Sequence, residues 1–353
     1  MAVNSETRVL LKDPAGALEA LLNEVGDEHG IELDEAPNGE RFYEIGPFRL
    51  GFKVETRALH IKLAGPTFES LAPIKEDVVS HMADIDSMAA EAIRWTGEQV
   101  EIGTLPPSFK VLTVVRTSPI SSTMQRVTLS GPDMGHMAKG GTHIRLMLPL
   151  ARDRKPIWPR MAANGAPEWP KGDDKLHARF VTLKSVRVDA NEADLDIVRH
   201  NGGLISDWAN SVGANETVGV MGPIGLDQLP STRDIFLAAD ETGLAFISRF
   251  IEIAGEDATG NAVVAASPDL DLDSYMPRTK IQIESMAPDV FPSKILQRAT
   301  ELTPPDVTTY AHFAGEFENA QALRKMFKSR LGLDKNNQMS VAYWRKGVPG
   351  FGS

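Results

Sequence analysis

The chain contains no cysteine. That absence excludes a disulfide framework, a cysteine-ligated iron–sulfur cluster, a Cys-type zinc finger and a thiol nucleophile. Any redox chemistry therefore needs a borrowed cofactor. Positive charge is also scarce: 37 Lys and Arg stand against 48 Asp and Glu, a formal net charge of −11. Broad binding to nucleic acid or to an anionic membrane needs an excess of cations on some face, so any basic site here has to be local. Long apolar runs are missing as well. No uncharged apolar stretch reaches about 18 residues, and Met1 to Asp13 carries charges where a leader would carry an apolar core. A cytoplasmic protein without a membrane span is expected.

What is present is ordinary globular composition, 42% hydrophobic and 24% charged over 353 residues, enough for two or three domains at roughly 100–200 residues each. Between Ala15 and His29 the apolar residues Leu18, Leu21, Leu22 and Val25 form a helical stripe. Alternating residues then predict an antiparallel meander over Arg41–Ile45, Phe48–Val54 and Ala58–Leu63. A long helix is expected from about Thr67 to Trp95. Residues 1–103 thus read as a small α+β domain, closed by the joint Leu105-Pro106-Pro107. Six antiparallel strands between 108 and 230 predict a β-barrel, with a loop rich in Pro, Trp and Gly at 156–172. From 231 to 353, apolar strands alternate with helices, the pattern of an α/β doubly wound parallel sheet.

Four constellations carry candidate chemistry. Arg179-Phe180-Val181-Thr182 lies on a barrel strand, with Arg179 and Val181 on one face and Phe180 and Thr182 on the other. A cofactor with a pyrophosphate and a redox-active ring needs a fixed cation, an apolar surface and a hydrogen-bonding group at the ring edge. An ordinary half-buried strand would carry the same four residues. In the second, His200-Asn201-Gly202-Gly203 runs into Leu204-Ile205-Ser206-Asp207-Trp208, where glycines and free N–H groups at a helix start suit a phosphate. A plain β-turn before a helix fits the same residues. The third is Ala239-Asp240-Glu241-Thr242, the turn after a buried strand, placed as a nicotinamide edge or as a simple acidic cap. The last is Tyr343-Trp344-Arg345-Lys346-Gly347, two aromatics and two cations that suit covering a ring and holding an anion, or packing on the surface. His81, Asp84 and Asp86 carry metal-ligating side chains, but helical geometry turns Asp86 away, so a solvated helix face and no metal are expected.

Residues from about Ser108 to Gly347 resemble the siderophore-interacting proteins, FAD-dependent ferric-siderophore reductases related to ferredoxin–NADP reductases. The family's Arg-x-Tyr-Thr strand is matched by Arg179 and Thr182, with Val181 where the tyrosine usually stands. Its Gly-Pro-Ala-Ser-x-Trp helix start resembles Gly203 to Trp208, and its Gly-Asp-Glu-Thr resembles Ala239 to Thr242. Its Tyr-Trp-Arg-x-Gly tail is matched by Tyr343 to Gly347. The resemblance implies an FAD-binding barrel and an NAD(P)-binding-like domain. It implies FAD contacts by Arg179, Phe180, Val181, Thr182, His200, Gly203, Leu204, Ile205, Ser206, Trp208, Asp240, Thr242 and Trp344. It also implies a ferric siderophore as substrate, NAD(P)H or reduced ferredoxin as donor, and Arg324, Lys325, Arg345 and Lys346 as the cations that meet the chelate. Ile224 stands where the family often has arginine, which favours a neutral or cationic chelate. A flavin- or siderophore-binding protein without turnover, and a general NAD(P)H:flavin reductase, are the alternatives. Residues 1 to about 100 resemble a small domain of uncharacterised function that also occurs fused to such reductases, on the strength of His81 and Trp95.

Overall fold

The computed structural model describes residues 2–29, 33–97, 100–139, 141–151, 154–225, 232, 234–303, 309–333 and 337–348. The chain forms two compact units, Met1–Ser108 with Ala151–Lys175, and Phe109–Leu150 with Leu176–Ser353.

The first unit opens with β1 (Val3–Leu10), α1 (Pro14–His29), β2 (Asp34–Glu35), β3 (Arg41–Ile45), β4 (Phe48–Glu55), β5 (Ala58–Gly65), α2 (Phe68–Ile85) and α3 (Ser87–Ala92). Its sheet has the order β1-β5-β4-β3-β2, with antiparallel neighbours throughout. Period-two alternation explains the packing face. Ser5, Thr7 and Val9 lie opposite Leu63, Ile61 and Leu59, and all six are buried. Leu18, Leu21 and Leu22 of α1 and Leu71, Val78 and Met82 of α2 close the same core, each large side chain contributing about 1.5–3 kcal/mol by burial.

One strand is not legible in the sequence, and one expectation needs correction. The strand β1 gives no apolar alternation in sequence because two of its inward residues are polar; the Ser5 hydroxyl finds its partner in the Thr96 carbonyl at 2.8 Å. The single long helix is two helices. Asp86 ends α2 through its N–H to the Met82 carbonyl, then caps α3 by accepting the Met88 and Ala89 N–H groups at 3.1 and 3.0 Å. Capping also accounts for Asp86 in the His81, Asp84 and Asp86 group, and among the described residues no cluster of three metal-ligating side chains forms.

The second unit begins with β6 (Phe109–Pro119), β7 (Met124–Ser130), α4 (Met134–Met137) and β8 (His143–Pro149). Ala151–Lys175, which includes the stretch 156–172 expected as a loop among the barrel strands, groups with the first unit and carries the short strands β9 (Arg160–Met161) and β10 (Pro167–Glu168). Trp169 Nε1 donates to Glu76 Oε1 at 2.8 Å, and the backbones of Met161 with Gly103 and Thr104 exchange bonds of 2.8 Å. The barrel resumes with β11 (Leu176–Arg187), β12 (Glu192–Val198), the helix α5 (Leu204–Ser211) and β13 (Thr217–Ile224), and closes in the order β11-β12-β7-β6-β13-β8. Leu112, Val127, Leu129, Ile144, Leu146, Leu183, Leu195 and Val220 fill it.

The same unit ends in β14 (Asp234–Ala239), α6 (Leu244–Ala254), β15 (Thr259–Ala265), α7 (Leu272–Tyr275), β16 (Gln282–Met286), α8 (Phe291–Leu302), β17 (Tyr310–Glu316), α9 (Phe317–Leu331) and β18 (Gln338–Trp344). These strands form a parallel sheet in the order β16-β15-β14-β17-β18. Ile235, Leu237 and Ala239 of β14 pack with α6, while Phe236 and Ala238 pack with α8 and α9. Cover on both faces explains why these strands read as near-continuous apolar runs. The order reverses between β14 and β17, so the ligand crevice of this topology lies beyond Ala239 and Glu316. The expected boundary at 230/231 lies outside the described residues. No helix among the described residues is long and apolar enough to cross a membrane.

Candidate functional site

The barrel contributes one wall. Along β11, Arg179 and Val181 stand opposite the interior residues Leu146 and Ile144, while Phe180 and Thr182 stand opposite Arg145 and His143. The Arg179 guanidinium donates to the Ala178 carbonyl at 2.6 Å. No carboxylate pairs with it among the described residues, although partial burial draws its pKa down. A half-buried cation without a counter-ion favours an anionic ligand. Phe180 is 38% exposed, with the Arg145 guanidinium 4.9 Å from its ring centroid. Val181 packs against the barrel core. Thr182 is buried.

The helix α5 supplies the next element. Gly203 occupies its N-cap with no side-chain cap, which leaves the first-turn N–H groups without a side-chain acceptor and suits them to an anion. Gly202 adopts φ +77°, the left-handed conformation that favours glycine. The His200 ring lies over Gly203, where a Cβ would sit 2.1 Å from His200 Cε1. Two residues of this motif face inward. Ser206, 1% exposed, accepts the His200 N–H at 2.9 Å, and Trp208 packs in the barrel core as the anchor of the helix. Ile205 packs beside it, and Leu204 is exposed.

At the crevice of the parallel sheet, Asp240 organises the strand ends. Its Oδ1 accepts the Thr242 N–H at 2.9 Å and the Thr242 hydroxyl at 2.5 Å. Its Oδ2 accepts the Glu316 N–H and the Trp344 indole N–H, both at 2.8 Å. Burial pushes the Asp240 pKa up, against the pull of those bonds. Asp240 and Thr242 therefore shape the turn, and Trp344, 39% exposed, is the member of this group open to a ligand. Gly315 permits the approach, since a Cβ there would lie 2.5 Å from Asp240 Oδ2. Glu241 turns toward the barrel and accepts the Thr123 hydroxyl at 2.5 Å.

The four expected substrate cations are not equivalent. Arg324 is half-buried and donates to the Ser340 carbonyl at 2.6 Å, so it braces α9 against β18. Arg345 stacks over Phe317 at 4.4 Å, and the Lys346 N–H reaches Glu316 Oε1 at 3.3 Å. Lys325, Arg345 and Lys346 are exposed. Ile224 ends β13 opposite His143.

Sequence reasoning did not single out His143. It lies 2.8 Å from Tyr343 Oη through Nε2 and 2.8 Å from Thr142 Oγ1 through Nδ1. Burial brings its pKa down to about 4, so the imidazole is neutral near pH 7. The signal available in sequence was its place at the head of a strand that pairs with the Arg179–Thr182 strand.

The donor set suits a pyrophosphate-bearing flavin: an uncompensated arginine, an uncapped helix start and a polar edge at Thr182, all on or beside the barrel. Family comparison agrees. Residues 113–227 match the model described as "Siderophore-interacting FAD-binding domain", and residues 232–347 match "Siderophore-interacting protein". The chain is 25% identical over 256 residues to the ferric vibriobactin reductase ViuB of Vibrio cholerae, covering 67% of this chain and 90% of that one. It is 24% identical over 242 residues to the NADPH-dependent ferric-chelate reductase of Escherichia coli, covering 67% and 92%. In fold it is similar to the siderophore-interacting protein SipS from Aeromonas hydrophila, with a TM-score of 0.58, 24% identity and coverage of 68% and 93%. A siderophore utilization protein from T. fusca gives a TM-score of 0.55 at 23% identity, covering 71% and 97%.

Proposed function

Because the chain belongs to the siderophore-interacting protein family through residues 113–227 and 232–347, we propose that it reduces ferric iron held by a siderophore, using FAD and NAD(P)H or reduced ferredoxin. The observation that carries this reading is the Arg179 guanidinium, free of any carboxylate among the described residues, on the same barrel as the uncapped start of α5. Arg179 and the backbone amides at Gly203–Ile205 hold the pyrophosphate, and Thr182 meets the ring edge. Bound FAD supplies the conversion of an electron pair into single electrons. Trp344, held by Asp240, borders the nicotinamide side.

Reduction acts as release. A chelator built from hard oxygen donors holds the smaller, more highly charged ferric ion far better than the ferrous ion. The protein need not ligate the iron, only bring the chelate close to the flavin. Lys325, Arg345 and Lys346 are the exposed cations available for that task. With Arg324 committed to Ser340, a neutral or weakly anionic chelate suits this surface better than a trianionic catecholate.

The test is an FAD titration followed by absorbance, then anaerobic addition of NADPH, NADH or reduced ferredoxin and a ferric siderophore with a ferrous trap. Ferrous iron should appear in step with FAD content. Protein that takes up no FAD ends the proposal. Val181, which offers no aromatic face to the ring, favours a second reading as a binding protein without turnover, and FAD uptake without any ferrous product would select it.

A further inference from the structure

The strand order β16-β15-β14-β17-β18 makes β14, α6 and β15 the first βαβ unit of a doubly wound sheet. A dinucleotide crosses such a unit with its pyrophosphate at the helix start and its adenosine ribose at the end of the second strand. At the first position, Gly243 occupies the α6 N-cap with no side-chain cap. A Cβ there would lie 2.7 Å from the Ala314 carbonyl and 2.9 Å from Ala239 Cβ, so glycine lets the helix start close on the strand ends. At the second position, Ser267 to Leu270 form a tight turn, closed by the Leu270 N–H on the Ser267 carbonyl at 3.0 Å, and Asp269 is exposed on it. Three donors fix the Asp269 carboxylate. Its Oδ2 accepts the Ser122 N–H at 2.7 Å, and its Oδ1 accepts the Ser122 hydroxyl at 3.0 Å and the Ser267 hydroxyl. The Ser267 hydroxyl first, then the Ser122 N–H, draw its pKa down, so it is ionised near pH 7. Between Ala266 and Pro277 the chain has no Lys or Arg, while Asp271 and Asp273 are exposed there. The next cations, Arg278 and Lys280, lead into β16, and Lys280 pairs with Asp257 at 2.8 Å beside the start of β15. Arg199, whose N–H bonds the Thr123 carbonyl at 2.7 Å, leads into the His200–Gly203 loop.

We propose that Asp269 determines donor specificity, selecting NADH, whose adenosine ribose carries a 2′-hydroxyl, over NADPH, which carries a 2′-phosphate there. The proposal rests on the nicotinamide-donor reading above. A phosphate monoester brings a charge of about −1.5 to −2 at pH 7 to a strand end that is already negative. No arginine on the β15 turn meets it. A hydroxyl brings no charge and can donate to a carboxylate. Discrimination thus comes from repulsion of the wrong donor rather than from a tighter hold on the right one. Hydride transfer is the same chemistry for both donors, so Asp269 acts on binding alone.

The test is calorimetric binding of NAD⁺ and NADP⁺, which carry the same adenosine ends as the donors, to FAD-loaded protein at low salt and at about 1 M, where the Debye length shrinks to about 3 Å. Wild type should bind NAD⁺ about tenfold tighter or more at low salt, and screening should narrow the gap. A basic site that grips the phosphate would instead favour NADP⁺ at low salt and lose that advantage at high salt. Asp269→Asn can keep the turn in place, its carbonyl oxygen taking the Ser122 N–H and its NH2 donating to the two hydroxyls. It should bind NADP⁺ several-fold tighter than wild type does, whereas a purely structural role would weaken both nucleotides. Equal affinities or tighter NADP⁺ in wild type, a gap that widens with salt, or a folded Asp269→Asn with the wild-type gap overturns the discrimination alone. Binding of neither nucleotide removes it together with the nicotinamide donor. FAD uptake by absorbance and ferric reduction by reduced ferredoxin, measured separately, decide the flavin reading beneath it.

Discussion

The Trp344 indole N–H and the Asp240 carboxylate meet at 2.8 Å across 104 residues of sequence. Asp240 follows β14, Glu316 ends β17 and Trp344 ends β18, so one side chain ties three parallel strands at the edge where the topology opens its crevice.

Asp240→Asn tests that tie. An amide has one acceptor oxygen, so one pair of donors, Thr242 or Glu316 with Trp344, would face an NH2 group. Because the Thr242 hydroxyl can turn to accept from that NH2, the favoured orientation strands one donor, the Thr242 N–H, and we expect a loss of about 1–3 kcal/mol in urea unfolding. An unchanged midpoint would show that the tie contributes nothing.

Arg179→Ala should weaken FAD binding by about 1.5–3 kcal/mol, or roughly ten- to a hundredfold in Kd, the usual worth of a charge-assisted hydrogen bond. Arg179→Lys should recover part of it, since a point charge remains without the planar fork. Equal FAD affinity in wild type and Arg179→Ala would withdraw the phosphate role.

Val181→Tyr examines the missing aromatic. A ring at 181 that covers one flavin face should tighten FAD by about 0.5–1.5 kcal/mol and quench flavin fluorescence. Weaker binding would mean that the barrel core beside Ile144 does not accommodate the ring.

The buried histidines set an acid limit. His312 has its pKa lowered to about 3, first by burial and then by the His143 charge, from the ordinary 6.5. Between those values only the unfolded chain binds the proton. Stability is therefore full above about pH 6.5 and falls on acidification by about 1.4 kcal/mol per pH unit for each such histidine. His143 adds the same slope down to about 4. In urea unfolding at pH 7, 6 and 5, His312→Leu should lose part of this slope. A variant as steep as wild type would show that other groups set the limit.

Legibility followed locality. The strands of the barrel and parallel sheet, and the helix Leu244–Ala254, could be read because each repeats apolar residues at its own period within a dozen positions. The break at Asp86 is hidden in sequence because an aspartate between Ile85 and Ser87-Met88-Ala89-Ala90 reads equally as part of a solvated helix face; its capping bonds to Met88 and Ala89 are visible only in structure. The allegiance of residues 151–175 was illegible for a different reason. Its anchors join distant stretches, Trp169 to Glu76 across 93 residues and Met161 to Gly103, and the segment has no periodicity of its own. At the candidate site, Arg179 and Gly203 are proposed from residue type and spacing. Arg324 did not reveal its bond to the Ser340 carbonyl, nor His143 its bond to Tyr343, because such pairings arise only when distant strands are laid side by side.

The discontinuous first unit ties its completion to the schedule of translation. Met1 to Ser108 leave the ribosome ahead of β6, β7 and β8, and the Trp169 hydrogen bond to Glu76 cannot form until residue 169 has followed them. At about 5–20 residues per second that is a delay of several seconds. During it, the β8 edge that later receives β11 is also unpaired. Neither unit can finish before the other has begun, so the nascent chain has no point between residues 108 and 175 at which one unit is closed and the other not yet started.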